Sequence, residues 1–239
     1  MIVSINQPAY LPWLGYFHRI ATSDVHVMLD HVQFEKNSFT NRNKVRTADG
    51  WCWLTVPVKT KGRFGDLAIR TVEIDNSTDW RARHWKTIRQ SYRRAPHFEE
   101  HAPFFEQVYR REWTLLADLL RETTGYLLRA LGITTRLLVS SDMSPQGAKD
   151  ELVLDLCRKA SADLYLSGAL GRDYLRKELF EGAGIKVLFQ DYRHPMYPQQ
   201  YGEFIPHLSV VDLLFHCGGQ SLDILMEGNL ARHLILECK

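Results

Sequence analysis

Asn6-Gln7-Pro8-Ala9-Tyr10-Leu11-Pro12-Trp13-Leu14-Gly15-Tyr16-Phe17 interrupts an apolar run that begins at Met1. Residues 1–5 read as a buried strand. Two prolines flanking an aromatic then break it, because proline lacks an N–H and fixes φ. Beyond Gly15 the residues Phe17, Ile20 and Ala21 share one helical face, and Ser23-Asp24 closes that segment. Residues 25–29, Val-His-Val-Met-Leu, read as a second buried strand ending at Asp30. Strand, polar and aromatic loop, helix, strand and acid is how an α/β fold opens. It places the 6–13 loop and Asp30 at the carboxyl ends of neighbouring parallel strands, where such folds bind ligands.

Downstream, the alternation resumes after an interval. Residues 51–58 are β-rich and follow the turn signal Ala48-Asp49-Gly50, with Pro57 marking an edge or an end. Residues 59–65 form a basic, glycine-bearing loop, and 71–74 read as a short strand. Asn76-Ser77-Thr78-Asp79 is a helix start. Helices are expected over 80–94, 102–109 and 112–131, the last with a leucine stripe. Strands at 136–140, 163–167 and 186–190 then alternate with helices at 149–160 and 174–182, and helices at 208–215 and 221–236 end the chain. This pattern predicts a Rossmann-like α/β fold with a mainly parallel sheet. Residues 1–239 are expected to form a single α/β domain, with 77–131 as a mostly helical insertion or cap.

Of the 239 residues, 45% are hydrophobic and 24% charged, a balance that suits a globular protein with a sizeable core. Thirty Lys and Arg against 28 Asp and Glu leave a net charge of only +2, so no bulk field calls for a nucleic acid or a membrane. Cys52, Cys157, Cys217 and Cys238 show no paired spacing, which points to a reduced, cytoplasmic protein without zinc or a disulfide framework. No leader-like or membrane-length apolar run is present, so no membrane insertion is expected.

Candidate site residues gather at the predicted strand ends. Asp30 directly after a buried strand is costly unless paired or held in a cleft. It is either an ion-pair partner of Lys36 or Arg42, or a general base or amine-binding carboxylate. Gln7, Tyr10 and Trp13 in the first loop, and Gln33, Asn41 and Asn43 in the next, offer the many donors and acceptors that a sugar needs. Arg42 suits a phosphate or carboxylate as a bidentate fork. Ser167-Gly168 sits at a strand end where glycine permits close backbone approach. Asp191 and His194 suggest a carboxylate-held general base, since Pro195 forces His194 out of helical conformation. A histidine simply packed on Tyr192 or Tyr197 is the competing reading. His18 reads as a surface residue. His84-Trp85 with Arg81, Arg89 and Arg93 is a solvated helix face or, less favoured, an anion site. Cys217 reads as structural. No metal-ligand spacing occurs, and the segment after Ser167 lacks the Lys-Ser/Thr ending of a Walker loop.

NQPAYLPWLGYF, the later D-H-V-Q-F-x-K-x-x-x-x-N-R-N, and W-L-T-V-P-V resemble the WbqC-like family. H-W, L-S-G, F-Q-D-Y-x-H-P-x-Y and L-S-x-x-D-L-L-F follow in the family's order, so the resemblance spans nearly the whole chain. The family is bacterial and is associated with gene clusters for O-antigens and other surface polysaccharides. The resemblance implies a transferase that places an acyl or aminoacyl group, glycine being the one suggested, on an amino-sugar or similar amine. Asp30 and His194 are the expected base candidates. The activated donor is left open among ATP-dependent activation in place, aminoacyl-tRNA and a thioester, and the cofactor is unknown. A non-catalytic glycan-precursor-binding or scaffold protein is the alternative. The first junction also resembles nucleotidyltransferases and adenylate-forming ligases, where H-x-G-H cradles a triphosphate. Trp13-Leu14-Gly15-Tyr16 keeps that glycine and lacks both histidines, which makes ATP chemistry a further alternative.

Overall fold

The computed structural model describes residues 1–63 and 65–237. Cys238 and one position of the 59–65 loop lie outside them. β1 (Ile2–Asn6) leads through α1 (Leu14–Ala21) to β2 (Val25–Met28). A hairpin of β3 (Arg42–Thr47) and β4 (Gly50–Thr55) follows. Helices α2 (Trp80–Tyr92), α3 (Phe98–Arg110) and α4 (Leu116–Ala130) come next. The chain then runs through β5 (Arg136–Val139), α5 (Lys149–Lys159), β6 (Leu164–Ser167), α6 (Lys177–Glu181) and β7 (Lys186–Phe189). Last come α7 (Val210–Cys217), α8 (Ser221–Met226) and α9 (Arg232–Glu237).

Five of the seven strands form one sheet in the order β5-β2-β1-β6-β7, with every pair parallel. This is the expected Rossmann-like architecture. Val3 registers with both Val25 and Tyr165, so β1 is the central strand. β1, β2 and β6 are buried almost throughout, as strands covered on both faces must be. Val3, Ile5, Val27 and Tyr165 pack against Leu152, Leu156 and Phe180 from α5 and α6. On the opposite face α1 lays Tyr16 edge-on to His26, whose Nδ1 hydrogen-bonds Ser4 Oγ at 2.8 Å.

The structure revises several expected elements. The polar run after Asn41 is a strand, not a loop. Its period is masked because the buried position opposite Leu54 holds Asn43 rather than an apolar residue. Residues 71–74 form no strand; Ile69–Thr71 is a 3-10 turn, and Glu73 and Ile74 make single bridges to Leu115 and Val58. The helix expected from 174 begins at Lys177, after a 3-10 turn at Ala169–Asp173. The helix expected over 221–236 is two, separated around Gly228 at φ 65°. Helices α2–α4 lie between β4 and β5 in sequence. They pack on one another, on the hairpin and on α7, with Phe98 and Phe105 meeting the Phe215 ring at 5.3 and 5.5 Å. None of them lines the cavity at the strand ends. The leucine stripe of α4 is spent on the large core that these helices share with α1, the hairpin and α7.

Candidate functional site

Because the sheet is parallel, the loops after Asn6, Met28, Val139, Ser167 and Phe189 leave it on one edge. Strand order reverses between β1 and β6: the chain builds outward through β2 and β5, then crosses back to β6 and β7. Loops on either side of such a point diverge and leave a crevice. A cavity of about 550 Å³ lies there, a volume suited to a small-molecule ligand.

Four segments build its walls. Asn6, Gln7 and Trp13 come from the β1 loop, and Ser167 and Gly168 from the end of β6. Asp191 and Tyr192 follow β7, and Ser38 to Thr40 lean in from the segment before the hairpin. The Tyr10 N–H donates to the Phe39 carbonyl at 2.9 Å, which ties that segment to the β1 loop. Gln190 closes the opposite side. Its amide donates to Gly15 O at 2.9 Å and to His18 Nδ1 at 2.7 Å, locking α1 to the end of β7. Gly15 is needed for this closure, since a Cβ there would lie 2.9 Å from Tyr192 Cδ1.

Gln7, Trp13, Ser167, Gly168 and Asp191 thus come together as the topology argument requires. The remaining candidates do not line the cavity. Asp30 is buried and fully engaged: Oδ1 accepts from Ser140 Oγ and the Ser141 N–H, each at 3.0 Å, and Oδ2 accepts from Ser141 Oγ at 2.9 Å. It pins the end of β5 to β2, and neither Lys36 nor Arg42 is its partner. His194 makes no contact with Asp191. Nδ1 donates to the Pro195 carbonyl at 2.9 Å, and Nε2 has no partner. The ring packs among Tyr192, Tyr197, Phe204 and His207, and burial lowers its pKa.

The first-loop Tyr10 is buried, with its hydroxyl bonded to His84 Nδ1 at 2.9 Å and to Tyr109 at 2.5 Å. His84 therefore anchors the β1 loop from α2, and burial pulls its pKa down to about 4. Asn41 donates to Val56 O at 2.9 Å. Asn43 donates to Leu11 O at 2.6 Å, holding a residue whose φ of 43° is costly outside glycine. Gln33 bonds Phe34 O and the Leu67 N–H, and with Lys36 it lines a separate, smaller groove. His18 is buried rather than superficial. Its Nε2 donates to Leu230 O at 3.2 Å, and its pKa falls to about 4 through burial. Cys217 is buried, which pushes its thiol up to about 11 and keeps it protonated.

Two features were not anticipated. Aromatic rings form a chain from the hairpin surface to the cavity. Trp51 meets Trp53 at 5.9 Å, Trp53 meets Phe39 at 6.0 Å, and Phe39 meets Trp13 at 5.0 Å. Arg42 stacks on Trp53 at 4.3 Å and Lys44 on Trp51 at 4.2 Å, so those two cations belong to the ladder. The second feature is Arg19, which lines the cavity from α1.

A model of the WbqC-like protein family matches residues 7–224, so the match covers the β1 loop, the hairpin and all later strand ends. The chain belongs to the WbqC-like protein family. It is also 39% identical over 225 residues to an uncharacterized protein of Mycobacterium tuberculosis, Rv1507c, covering 93% of this chain and 96% of that one. No solved structure matches significantly. Among the described residues no helix is long and apolar enough to cross a membrane, and no cluster of three or more His, Cys, Asp or Glu is placed to hold a metal.

Proposed function

We propose that this WbqC-like protein transfers an acyl or aminoacyl group, glycine being the simplest, to an amine-bearing sugar used in bacterial surface-polysaccharide synthesis. The reaction is assigned to the switch-point cavity. One observation carries this assignment: the ladder Trp51–Trp53–Phe39–Trp13 ends inside a cavity edged by Gln7, Ser167 and Asp191. Aromatic faces beside oriented polar groups suit sugar rings, whose two faces are apolar and whose edges are hydroxyls.

In the transfer the sugar amine attacks the acyl carbonyl carbon. A C–N bond forms, and the bond from that carbon to the donor's ester or thioester leaving group breaks. The ammonium proton passes to a base and then to the leaving group. Asp191 is the one carboxylate among the described residues that line the cavity, and it takes the base role that Asp30, held by three hydrogen bonds, is poorly free to fill. The test is incubation with glycine and ATP, charged glycyl-tRNA or a glycyl thioester, plus a panel of nucleotide-activated amino-sugars, read by mass spectrometry. Acylated sugar should form with one donor. Asp191→Asn should lower turnover by about 10²-fold or more while leaving sugar affinity intact. The absence of acylated product with every donor overturns the transferase assignment. Sugar binding without turnover, unchanged in Asp191→Asn, supports instead a non-catalytic glycan-binding module, which the exposed outer end of the ladder at Trp51 also fits.

A further inference from the structure

The other buried arginine among the described residues has its charge answered. Arg46 is met by four backbone carbonyls. Arg19 is different. It is 6% exposed and makes no ion pair among the described residues, and its Nε has no hydrogen-bond partner. Its polar neighbours are the phenols of Tyr16, Tyr165 and Tyr174, and burial keeps those phenols protonated and neutral. A guanidinium does not lose its proton in proteins, so the charge persists uncompensated.

Its position is built rather than incidental. Nη1 of the guanidinium sits against Gly168, where any Cβ would overlap it. It is also one turn beyond Gly15 on the same face of α1, and both residues line the cavity. The first turn of that helix carries no acidic residue, and the residue before it, Trp13, offers no side-chain cap. The helix dipole therefore adds positive potential at the Gly15 end of that wall, whereas Arg19 itself leaves from the last turn. Asp191 lines the cavity at its exposed rim and forms no ion pair with Arg19, so its charge is not paired with the guanidinium.

We infer that Arg19 is an oxyanion receptor that takes a phosphoryl or carboxylate group of the cavity's ligand between its guanidinium, Gly168 and the first turn of α1. This rests on the cavity being the substrate site, not on the acyl-transfer chemistry. It adds to that assignment a ligand class: the molecule entering the cavity carries an oxyanion group, as a sugar phosphate, a nucleotide sugar or the carboxylate of a free amino acid does. A buried charge without a partner destabilises the empty fold, and an incoming oxyanion relieves that cost with a short, charge-assisted fork.

Thermal unfolding of the full chain tests it, with inorganic pyrophosphate in one arm and acetate in the other, each at millimolar concentration against chloride of equal ionic strength. Protection by pyrophosphate assigns a phosphoryl group, and protection by acetate a carboxylate. Arg19→Gln should unfold at the same temperature as the unaltered protein or higher without anion, and should lose the anion-dependent rise. Its dissociation constant for the protecting anion should increase by about tenfold or more. Gly168→Ala, which displaces the guanidinium without removing it, should weaken the same protection. Equal protection of Arg19→Gln overturns the assignment, as does no protection of the unaltered protein by either anion. Anion binding without acyl transfer leaves the receptor standing and removes only the transferase. Acyl transfer undiminished in Arg19→Gln removes only the receptor.

Discussion

Arg46 and Arg19 are almost equally enclosed, at 2% and 6% exposure, yet the regions around them are opposites. Arg46 leaves β3 to meet the carbonyls of Gly50, Gln200, Tyr201 and Glu203, and its own N–H donates to Tyr92 at 2.8 Å. Around it most polar groups are bonded, with Gln200 Oε1 and Asp212 Oδ1 the exceptions among the described residues. Gln199 donates to Ile205 O and to Asp212, and Tyr201 donates to Ser91 O. Arg19 faces a void and neutral phenols. Buried polar groups are normally satisfied, so a closed network marks architecture, and an open one at a topological switch point marks a place where something binds. By this criterion Asp30, with both oxygens engaged, belongs with Arg46.

The largest expected effect separates these two arginines directly. Arg46→Ala leaves four part-buried carbonyls without their donor and a buried gap in place of the side chain, and should cost about 3 kcal/mol. Arg19→Met removes an unpaired buried charge and replaces it with apolar volume. It should change stability by less than about 1 kcal/mol, or raise it. Urea unfolding of the two variants side by side decides. Equal losses would erase the distinction between architecture and site.

That distinction also explains what could be read in advance. The five core strands announce themselves because each is a short β-branched or leucine-rich run, and β1, β2 and β6 are buried on both faces, as in Val25-His26-Val27-Met28. Once the strands are parallel, the switch-point rule alone gathers Gln7, Trp13, Ser167, Gly168 and Asp191. Asp30 was legible as a buried carboxylate at a strand end. Its partners, Ser140 and Ser141, stand over a hundred positions away in the chain, and nothing local names them. The hairpin hid because Asn43 fills an inward position and holds the carbonyl of Leu11. Arg19 hid most completely, since a cation in the last turn of a helix is what the helix dipole favours anyway. A usable signal was present: seven of the eight residues of that helix are apolar, small or able to be neutral, and none is acidic, so an arginine on a wholly enclosed helix had no local partner.

Acid should bring a smaller effect, shared by both regions. His84 on the architectural side and His18 beside the cavity both have pKa values lowered to about 4 by burial, and His26 between β1 and Tyr16 is lowered to about 3. Unfolded imidazoles protonate near pH 6.5, whereas these stay neutral in the fold until about pH 4. The unfolded state therefore binds more protons in that window. Stability should be complete above about pH 6.5 and fall as pH drops toward 4, by about 2 kcal/mol for each of His18 and His84. Urea midpoints measured across this range should decline steadily, and His84→Gln should flatten the slope. A flat profile in the unaltered protein would mean that these rings are not buried as neutral groups. If anion binding at Arg19 is added, the loss attributed to His18 should shrink, because the ligand holds α1 in place, while the His84 contribution should not change.

The smallest effect on stability belongs to the outer end of the aromatic ladder. Trp51 and Trp53 are 44% and 36% exposed, and their neighbours are Lys44 and Arg42 stacked over the indoles. Exposed cation–π pairs contribute about 0.5–1 kcal/mol, and truncating one such residue on a two-stranded sheet leaves no cavity. Trp51→Ala should therefore unfold within about 1 kcal/mol of the unaltered protein. Ligand affinity should tell the two ends of the ladder apart. A ring held within the cavity is stacked by Trp13 and Phe39, while only a longer glycan reaches back to Trp53 and Trp51. Trp51→Ala should weaken an oligosaccharide by about tenfold, equivalent to about 1.4 kcal/mol, and leave a monosaccharide unaffected. Trp13→Ala should weaken both. Titration calorimetry with a matched pair of short and long glycans reads this directly. Equal loss for both lengths in Trp51→Ala would mean that the hairpin acts on the cavity through the fold rather than by touching the ligand. No loss for either would confine recognition to the cavity and leave the exposed tryptophans to some other contact.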